Sequence, residues 1–244
     1  MKKVLIVGGV AGGASTAARL RRLDENLEII MFERGEYVSF ANCGLPYHIG
    51  GVIQNRESLL VQTPESLKAR FNLDVRINSE VIEVNGKEKK VRVKTKNGEE
   101  YEENFDFLVL APGAKPILPA IKGIENKKIF TLRNINDMDK IKSEIKNHNI
   151  KKATVVGGGY VGVETAENLK HLGIDTTLIE AAPHILAPFD SEISNILEYE
   201  LVDNGINLLI SEKVTEFQED KDEVIIKLES GKSVTTDMVI FSIG

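Results

Sequence analysis

Hydrophobic and polar positions fall into short blocks separated by glycine, proline and charged punctuation. KVLIV, residues 3–7, is apolar and β-branched without alternation, the pattern of a parallel strand buried on both faces. It stops at Gly8, and a small-residue segment of helical composition follows. LEIIMFE, residues 27–33, predicts a second buried strand that closes on Glu33. Thr63, Pro64 and Glu65 predict a helix start, running through about Arg70. VIEVNGKEKKVRVKT alternates around Asn85-Gly86 and predicts a hairpin. FDFLVLAPGA predicts a strand that ends at Ala111, Pro112 and Gly113. The punctuated stretch from Ala111 to Ile124 reads as a crossing between domains. NINDMDKIKSEIKNH is an amphipathic helix, and from Ile206 onward the chain reads as short strands with Gly231 in a turn.

The block at the start recurs. KVLIVGGVAGGASTAARL, residues 3–20, is echoed by KATVVGGGYVGVETAENL, residues 152–169. The separation, roughly 150 positions, is too long for a solenoid repeat and fits two domains built alike. In each copy a buried strand ends in glycines and a helix begins. Glycines allow the tight turn and close backbone approach, and the helix N-terminus suits a diphosphate. The second copy has the full spacing Gly157, Gly159, Gly162, with Glu180 closing the next strand where a carboxylate holds an adenosine ribose. The first has Gly8, Gly12 and Gly13, then Glu33, with Val10 in place of the middle glycine. The fold class expected is therefore α/β, with two Rossmann-like dinucleotide-binding domains.

Composition narrows the picture by exclusion. A net charge of −6 without a basic block argues against a nucleic-acid surface. No apolar stretch approaches the roughly 20 residues of a membrane helix, and glycine ends the first apolar run too early for a signal peptide. A cytoplasmic protein with no membrane partner is expected. His148, His171 and His184 show no metal-ligand spacing, so no metal is expected. The 244 residues contain one cysteine, Cys43, in SFANCGLPY, which rules out an internal disulfide.

The order of glycine loop, acidic strand end, SFANCGLPY, LVLAPGAKP, TLRN and GGGYVGVE resembles the pyridine nucleotide–disulfide oxidoreductases. Within them SFANC resembles the single-cysteine branch, which holds the coenzyme A (CoA) disulfide reductases and their persulfide-reducing relatives. The resemblance implies an FAD domain over residues 1–112 and an NAD(P)H domain over 113–244. It implies that Gly8, Ala11, Gly12 and Gly13 face the FAD diphosphate and Glu33 its ribose. Val81 would meet the adenine through its backbone, Ala111, Pro112 and Gly113 would form the second FAD strand end, and Arg133 would contact FAD. Gly157, Gly159 and Gly162 would hold the NAD(P)H diphosphate, with Glu180 on the ribose and Phe189 stacked on NAD. Tyr160 would shield the flavin, Glu164 would sit near the nicotinamide, and Gly244 would belong to the cofactor site. Glu180 repels a 2′-phosphate, which favours NADH over NADPH. The family chain continues past a strand like TTDMVIFSIG, completes the FAD domain and adds a dimerisation domain. A fragment of a longer, homodimeric parent enzyme is therefore expected here.

For Cys43 the resemblance implies a redox thiol. NADH reduces FAD, electrons pass to a mixed disulfide of Cys43 with CoA, and the freed thiolate attacks the next CoA disulfide or persulfide. Ser15, Arg19 and Arg22, at i, i+4 and i+7, share a helical face and match CoA-binding positions of the family. Arg70 lies beside another such position, held by Phe71. Ser39 and Asn42 are candidates to hydrogen-bond substrate or thiolate. Cys43 precedes a helix-compatible segment whose N-terminus would favour its anion. His48 reads either as an acid or as a structural polar residue. Alternatives to disulfide reduction are an NADH oxidase or peroxidase cycling through sulfenic acid, and a redox sensor that binds FAD and NADH without turnover.

Overall fold

In a computed structural model, which describes residues 1–243, the chain forms two compact units. The first comprises residues 1–41 and 57–114, the second residues 42–56 and the chain from Lys115 onward. The boundary expected at 112/113 follows the Rossmann repeat. The units defined by contact add an excursion to it, because the segment carrying Cys43 packs within the second unit.

The first unit opens with β1 (Lys3–Val7), α1 (Ala11–Leu23) and β2 (Glu28–Phe32). The chain passes through α2 (Leu45–Ile49), which belongs to the second unit, and resumes with α3 (Pro64–Phe71) and β3 (Asp74–Arg76). A meander of β4 (Ser79–Asn85), β5 (Lys90–Thr95) and β6 (Glu100–Asn104) follows, then β7 (Phe107–Leu110). The parallel sheet has the order β3-β2-β1-β7. Its apolar blocks are continuous because both faces are covered. Val4, Ile6, Ile29 and Met31 pack with Ala17 of α1 and Leu67 of α3. Leu5, Ile30 and Phe32 point the other way, onto Val91 and Val93 of the meander.

The second unit repeats the plan. Its elements are β8 (Ile129–Thr131), α4 (Ile135–Asn147), β9 (Lys152–Val156), α5 (Tyr160–His171), β10 (Asp175–Ile179) and α6 (Ser191–Asp203). They continue through β11 (Asn207–Leu209), a meander of β12 (Val214–Asp220), β13 (Glu223–Leu228) and β14 (Ser233–Thr236), and β15 (Met238–Phe241). The parallel order is β11-β10-β9-β15-β8, the first unit's order with one strand added. That addition changes burial. β15, paired on both sides, is buried along its whole length. Among the described residues β7 pairs with β1 alone, and Phe107 and Leu110 are 53% and 60% exposed.

Local chemistry explains the element ends. Thr63 caps α3 reciprocally with Ser66: the Thr63 hydroxyl accepts from the Ser66 N–H, and the Ser66 hydroxyl accepts from the Thr63 N–H. The hairpin expected at Asn85-Gly86 forms, but with the turn over residues 86–89. Asn85 is the last strand residue, and its side-chain oxygen accepts from the N–H groups of Lys87 and Glu88. The asparagine thus starts an Asx-type turn instead of occupying its corner.

RLRR reads from sequence as a solvated face, yet Arg21 is buried. Its guanidinium donates to the carbonyls of Phe71 (2.8 Å), Glu25 (2.6 Å) and Asn72 (3.1 Å), fastening α1 to the C-terminal end of α3. Replacing it with methionine keeps most of the packing and leaves those carbonyls without their donor. Arg21→Met is expected to lower the unfolding free energy by about 3 kcal/mol. Arg19→Met, on an exposed position, should stay within about 0.5 kcal/mol of the parent. Urea unfolding of the two variants measures the difference.

Candidate functional site

Both glycine loops depend on contacts that no side chain tolerates. A Cβ on Gly13 would lie 1.7 Å from the Gly8 carbonyl oxygen, and one on Gly162 would lie 1.8 Å from that of Gly157. Helix and strand end therefore touch through bare backbone. Gly8 and Gly157 hold φ of +98° and +111°, so the turn itself also demands glycine. A Cβ on Gly8 would further strike the Ala111 carbonyl oxygen at 2.0 Å, which brings Gly8, Gly12, Gly13 and Ala111 into one cluster at the strand ends. Pro112 and Gly113 continue from it, Gly113 at φ +68°. The first i to i−4 bond of α1 runs from the Ala14 N–H to the Val10 carbonyl. The amides of Ala11, Gly12 and Gly13 precede it and face outward from the helix start.

Each loop is also tied to its neighbouring strand by a carboxylate. Glu33 accepts from the N–H groups of Gly9 and Gly35, both at 2.8 Å. Glu180 accepts from Gly158 (2.5 Å) and Ala182 (2.7 Å). The spacing of these acids predicts ribose holders; their role as loop clamps was not read from sequence. The backbone of Glu33 accepts from the Ser79 N–H, which fixes the start of β4 two residues before Val81.

In the second unit the loop opens into a cavity of about 820 Å³, lined by Gly157, Gly159, Tyr160, Glu180, His184 and Ser242 among others. A Cβ on Gly159 would meet no protein atom within 4 Å and would project into space the cavity offers to a ligand. The buried Ser242 hydroxyl lines the same cavity without a protein partner. These features fit a nicotinamide dinucleotide, as the glycine cluster and amides of the first unit fit an FAD diphosphate. Phe189 stands edge-on to Tyr160, with ring centroids 6.1 Å apart. Arg133 lies at the start of α4, its N–H bonded to Asp137. Gly244 lies outside the described residues.

A second cavity, about 380 Å³, lies in the first unit and gathers Ser15, Arg22, Ser39, Arg70 and Phe71. Val10, the residue that replaces the middle glycine, lines it too. Arg19 is exposed on α1 but does not line this cavity: the lining positions Ala11, Ala14, Ala18 and Arg22 all lie to one side of Ser15 round the helix, and Arg19 lies to the other. Asn42 belongs to the second unit, where its side-chain oxygen is buried without a protein partner.

Cys43 is exposed, in a single helical turn over Asn42–Gly44 that leads into α2. α2 has five residues, so few aligned peptide dipoles stand behind the thiol, and the helix-terminus argument drawn from the sequence carries little. His48 is buried. Its Nδ1 lies 2.6 Å from the Ile53 carbonyl, so Nδ1 carries the proton, and Nε2 accepts from the Lys142 ammonium at 3.1 Å. The imidazole is thus committed on both nitrogens, and the structural reading replaces that of an acid. Burial, then repulsion from Glu167, raises the Glu164 carboxyl above its ordinary range. The charge of Glu164, then burial, raises the Tyr47 phenol, with smaller contributions from Glu167 and Cys43. Tyr47, which sequence reasoning missed, therefore shares an electrostatic neighbourhood with Cys43 and Glu164.

The family model for pyridine nucleotide-disulphide oxidoreductases matches residues 2–244. The chain belongs to this family. It is 36% identical over 245 residues to a coenzyme A disulfide reductase of Staphylococcus haemolyticus, covering all of this chain and 54% of that protein. It is 33% identical to an NADH oxidase of Methanocaldococcus jannaschii, covering 99% of this chain and 54% of that one. The solved structure of reduced Bacillus anthracis CoADR-RHD superposes with a TM-score of 0.96 at 50% identity, over all of this chain and 44% of that one. The chain thus spans about half the length of the curated relatives it matches. Among the described residues no helix is long and apolar enough to cross a membrane, and no group of acidic, histidine or cysteine side chains forms a metal cluster.

The clamp yields a test. An amide at position 180 accepts through one atom only, so Glu180→Gln gives up one of the two charge-assisted bonds to the backbone. A loss of about 2 kcal/mol in unfolding free energy is expected, with faster amide exchange at Gly158 or Ala182. Unchanged exchange at both amides would remove the clamp from the account.

Proposed function

We propose that the parent protein reduces a thiol disulfide with NADH through FAD, using Cys43 as its redox thiol. Coenzyme A disulfide or coenzyme A persulfide is the substrate class, and a homodimer is the form that acts. The observation that carries this reading is the exposed Cys43 thiol, on a segment that packs in the unit holding the proposed nicotinamide cavity; a substrate sulfur suffices as its redox partner.

FAD, when bound, takes a hydride from NADH and delivers electrons to sulfur. Gly8, Ala11, Gly12, Gly13, Glu33, Ala111, Pro112 and Gly113 hold it, with Val81 and Arg133 as further contacts. Gly157, Gly159, Gly162 and Glu180 would hold the nicotinamide coenzyme, Phe189 would stack on it, Tyr160 would shield the flavin, and Glu164 would stand toward the nicotinamide. The Cys43 thiolate would attack one sulfur of the disulfide, breaking its S–S bond, keep that half as a mixed disulfide and release the other half as a thiolate. Arg22 and Arg70 supply positive charge to the 380 Å³ cavity, and Ser15 and Ser39 supply hydroxyls, a lining that suits the anionic phosphates of CoA. Asn42, with its buried unpartnered oxygen, stands beside the thiol as a hydrogen-bonding group for substrate. The name of the M. jannaschii relative supports a second reading, an NADH oxidase in which the same thiol cycles through sulfenic acid.

Cys43→Ser in the full-length protein is expected to abolish disulfide reduction and leave flavin reduction by NADH within about twofold, because hydride arrival needs no thiol. Stopped-flow absorbance separates the two half-reactions. Equal loss of both removes Cys43 from the electron exit. A panel of CoA disulfide, CoA persulfide, oxygen and peroxide separates the two readings.

The Glu180 carboxylate is held at the cavity by two backbone bonds, where it meets a ribose 2′-hydroxyl favourably and a 2′-phosphate unfavourably. kcat/KM for NADH should exceed that for NADPH by at least roughly tenfold. A ratio at or below one contradicts the assignment of Glu180.

A further inference from the structure

The segment carrying Cys43 is seated in the second unit at three places, none of which touches the thiol. On α4, the Lys142 ammonium donates to the His48 carbonyl at 2.8 Å and to His48 Nε2 at 3.1 Å. One turn earlier on the same helix, Asp139 takes a forked pair of bonds from Arg56, at 3.0 Å from Nε and 2.7 Å from the terminal nitrogen. On α5, Gly50 lies against Asn168 so closely that a Cβ would come within 2.2 Å of its side-chain oxygen. Asn168 is itself buried and fixed, its amide donating to the Glu164 carbonyl at 2.8 Å.

We propose that Lys142 is a positioning residue for Cys43: its ammonium closes the C-terminal end of α2 and, through His48, holds the thiol segment on α4. The inference rests on the reading of Cys43 as the redox thiol. Of the three contacts, the one made by Lys142 reaches both the side chain and the main chain of His48. The imidazole donates through Nδ1 to Ile53, so Nε2 needs a donor, and Lys142 supplies it. The His48 carbonyl accepts from the Gly51 N–H at 3.2 Å and takes its shorter bond from Lys142. Charged groups facing the segment include Lys142 and Asp139 on α4, Arg56 at its own end, and Glu164 and Glu167 on α5, whose charges act on Tyr47. Burial lowers the lysine's affinity for its proton, while Asp139 opposes that shift. The ammonium offsets that desolvation by serving two acceptors of the thiol segment, His48 Nε2 and, beside the Gly51 N–H, the His48 carbonyl. Gly50 packs on Asn168 of α5 and Tyr47 feels the charge of Glu164 one turn earlier, the carboxylate that the proposed function assigns to the nicotinamide. A segment held at α4 and α5 gives Cys43 one address within this unit.

The test is made on the full-length holoprotein with Lys142→Met, which keeps the aliphatic stem, and with Lys146→Met, an exposed position on the same helix, as control. Iodoacetamide labelling of the Cys43 peptide, followed by mass spectrometry, reads the thiol without any turnover. Lys142→Met is expected to label faster by about threefold or more and to lose roughly tenfold in kcat for disulfide reduction. Flavin reduction by NADH and the Kd for NADH should stay within about twofold. Lys146→Met should match the parent. Wild-type labelling and wild-type kcat in Lys142→Met overturn the proposal. Faster labelling without any disulfide reductase activity in the parent leaves the positioning intact and overturns the reading of function. If Lys142→Met does not fold, hydrogen exchange of the unmodified protein decides. Protection at Gly50, Gly51 and Ile53 is expected, because their N–H groups bond to Pro46, His48 and Tyr47. Exchange at unstructured rates there overturns the anchoring.

Discussion

Two backbone contacts carry this architecture: a helix glycine pressed on the carbonyl of the glycine that ends the preceding strand, once in each unit. The pairs are Gly13 on Gly8 and Gly162 on Gly157, and each leaves less than 2 Å for a Cβ. Because the first turn of the helix descends that far, its free amides come to the ends of the parallel strands, where a diphosphate reaches them. The apolar strand blocks, the order of strands around them and the covering meanders all serve to hold that one approach.

The same plan is used differently in the two units. Gly159 leaves space open toward the coenzyme cavity, whereas Val10 at the matching position lines a separate cavity that also holds Arg22 and Arg70. The departure from the glycine pattern is therefore a relocation of the wall and not a weakened copy. Burial follows the added strand: β15 is enclosed by β9 and β8, while β7 keeps one open side.

What was legible in the sequence is what depends on neighbours along the chain. Strand blocks, glycine spacing, the Thr63 cap and the two closing acids are local patterns with a local physical cause. The burial of Arg21 was not legible because two of its acceptors lie at the end of α3, some 50 residues away, and nothing in RLRR marks the inward member. His48 stayed ambiguous for the same reason, since its partner Lys142 sits on an amphipathic helix that looks solvated from sequence alone. The inclusion of residues 42–56 in the second unit was invisible, because it is decided by Gly50 against Asn168 and by Arg56 against Asp139. Arg19 shows the limit of spacing: a shared helical face does not say on which side of Ser15 the cavity opens, and it opens on the side of Ala14 and Ala18.

The clamp formed by Glu180 has a consequence for attempts to retune the protein. On the proposed function, the carboxylate that would discriminate one ribose from another is the one that fastens the loop to the neighbouring strand. Substitutions that welcome a phosphorylated ribose also unfasten the turn, so selectivity and foldedness are traits that mutate together at this position. A variant line drifting toward the other coenzyme would first need a substitute tether between Gly158 and Ala182, such as a shorter loop or a new side-chain acceptor. The order of mutations along that route is constrained, with the tether preceding the switch.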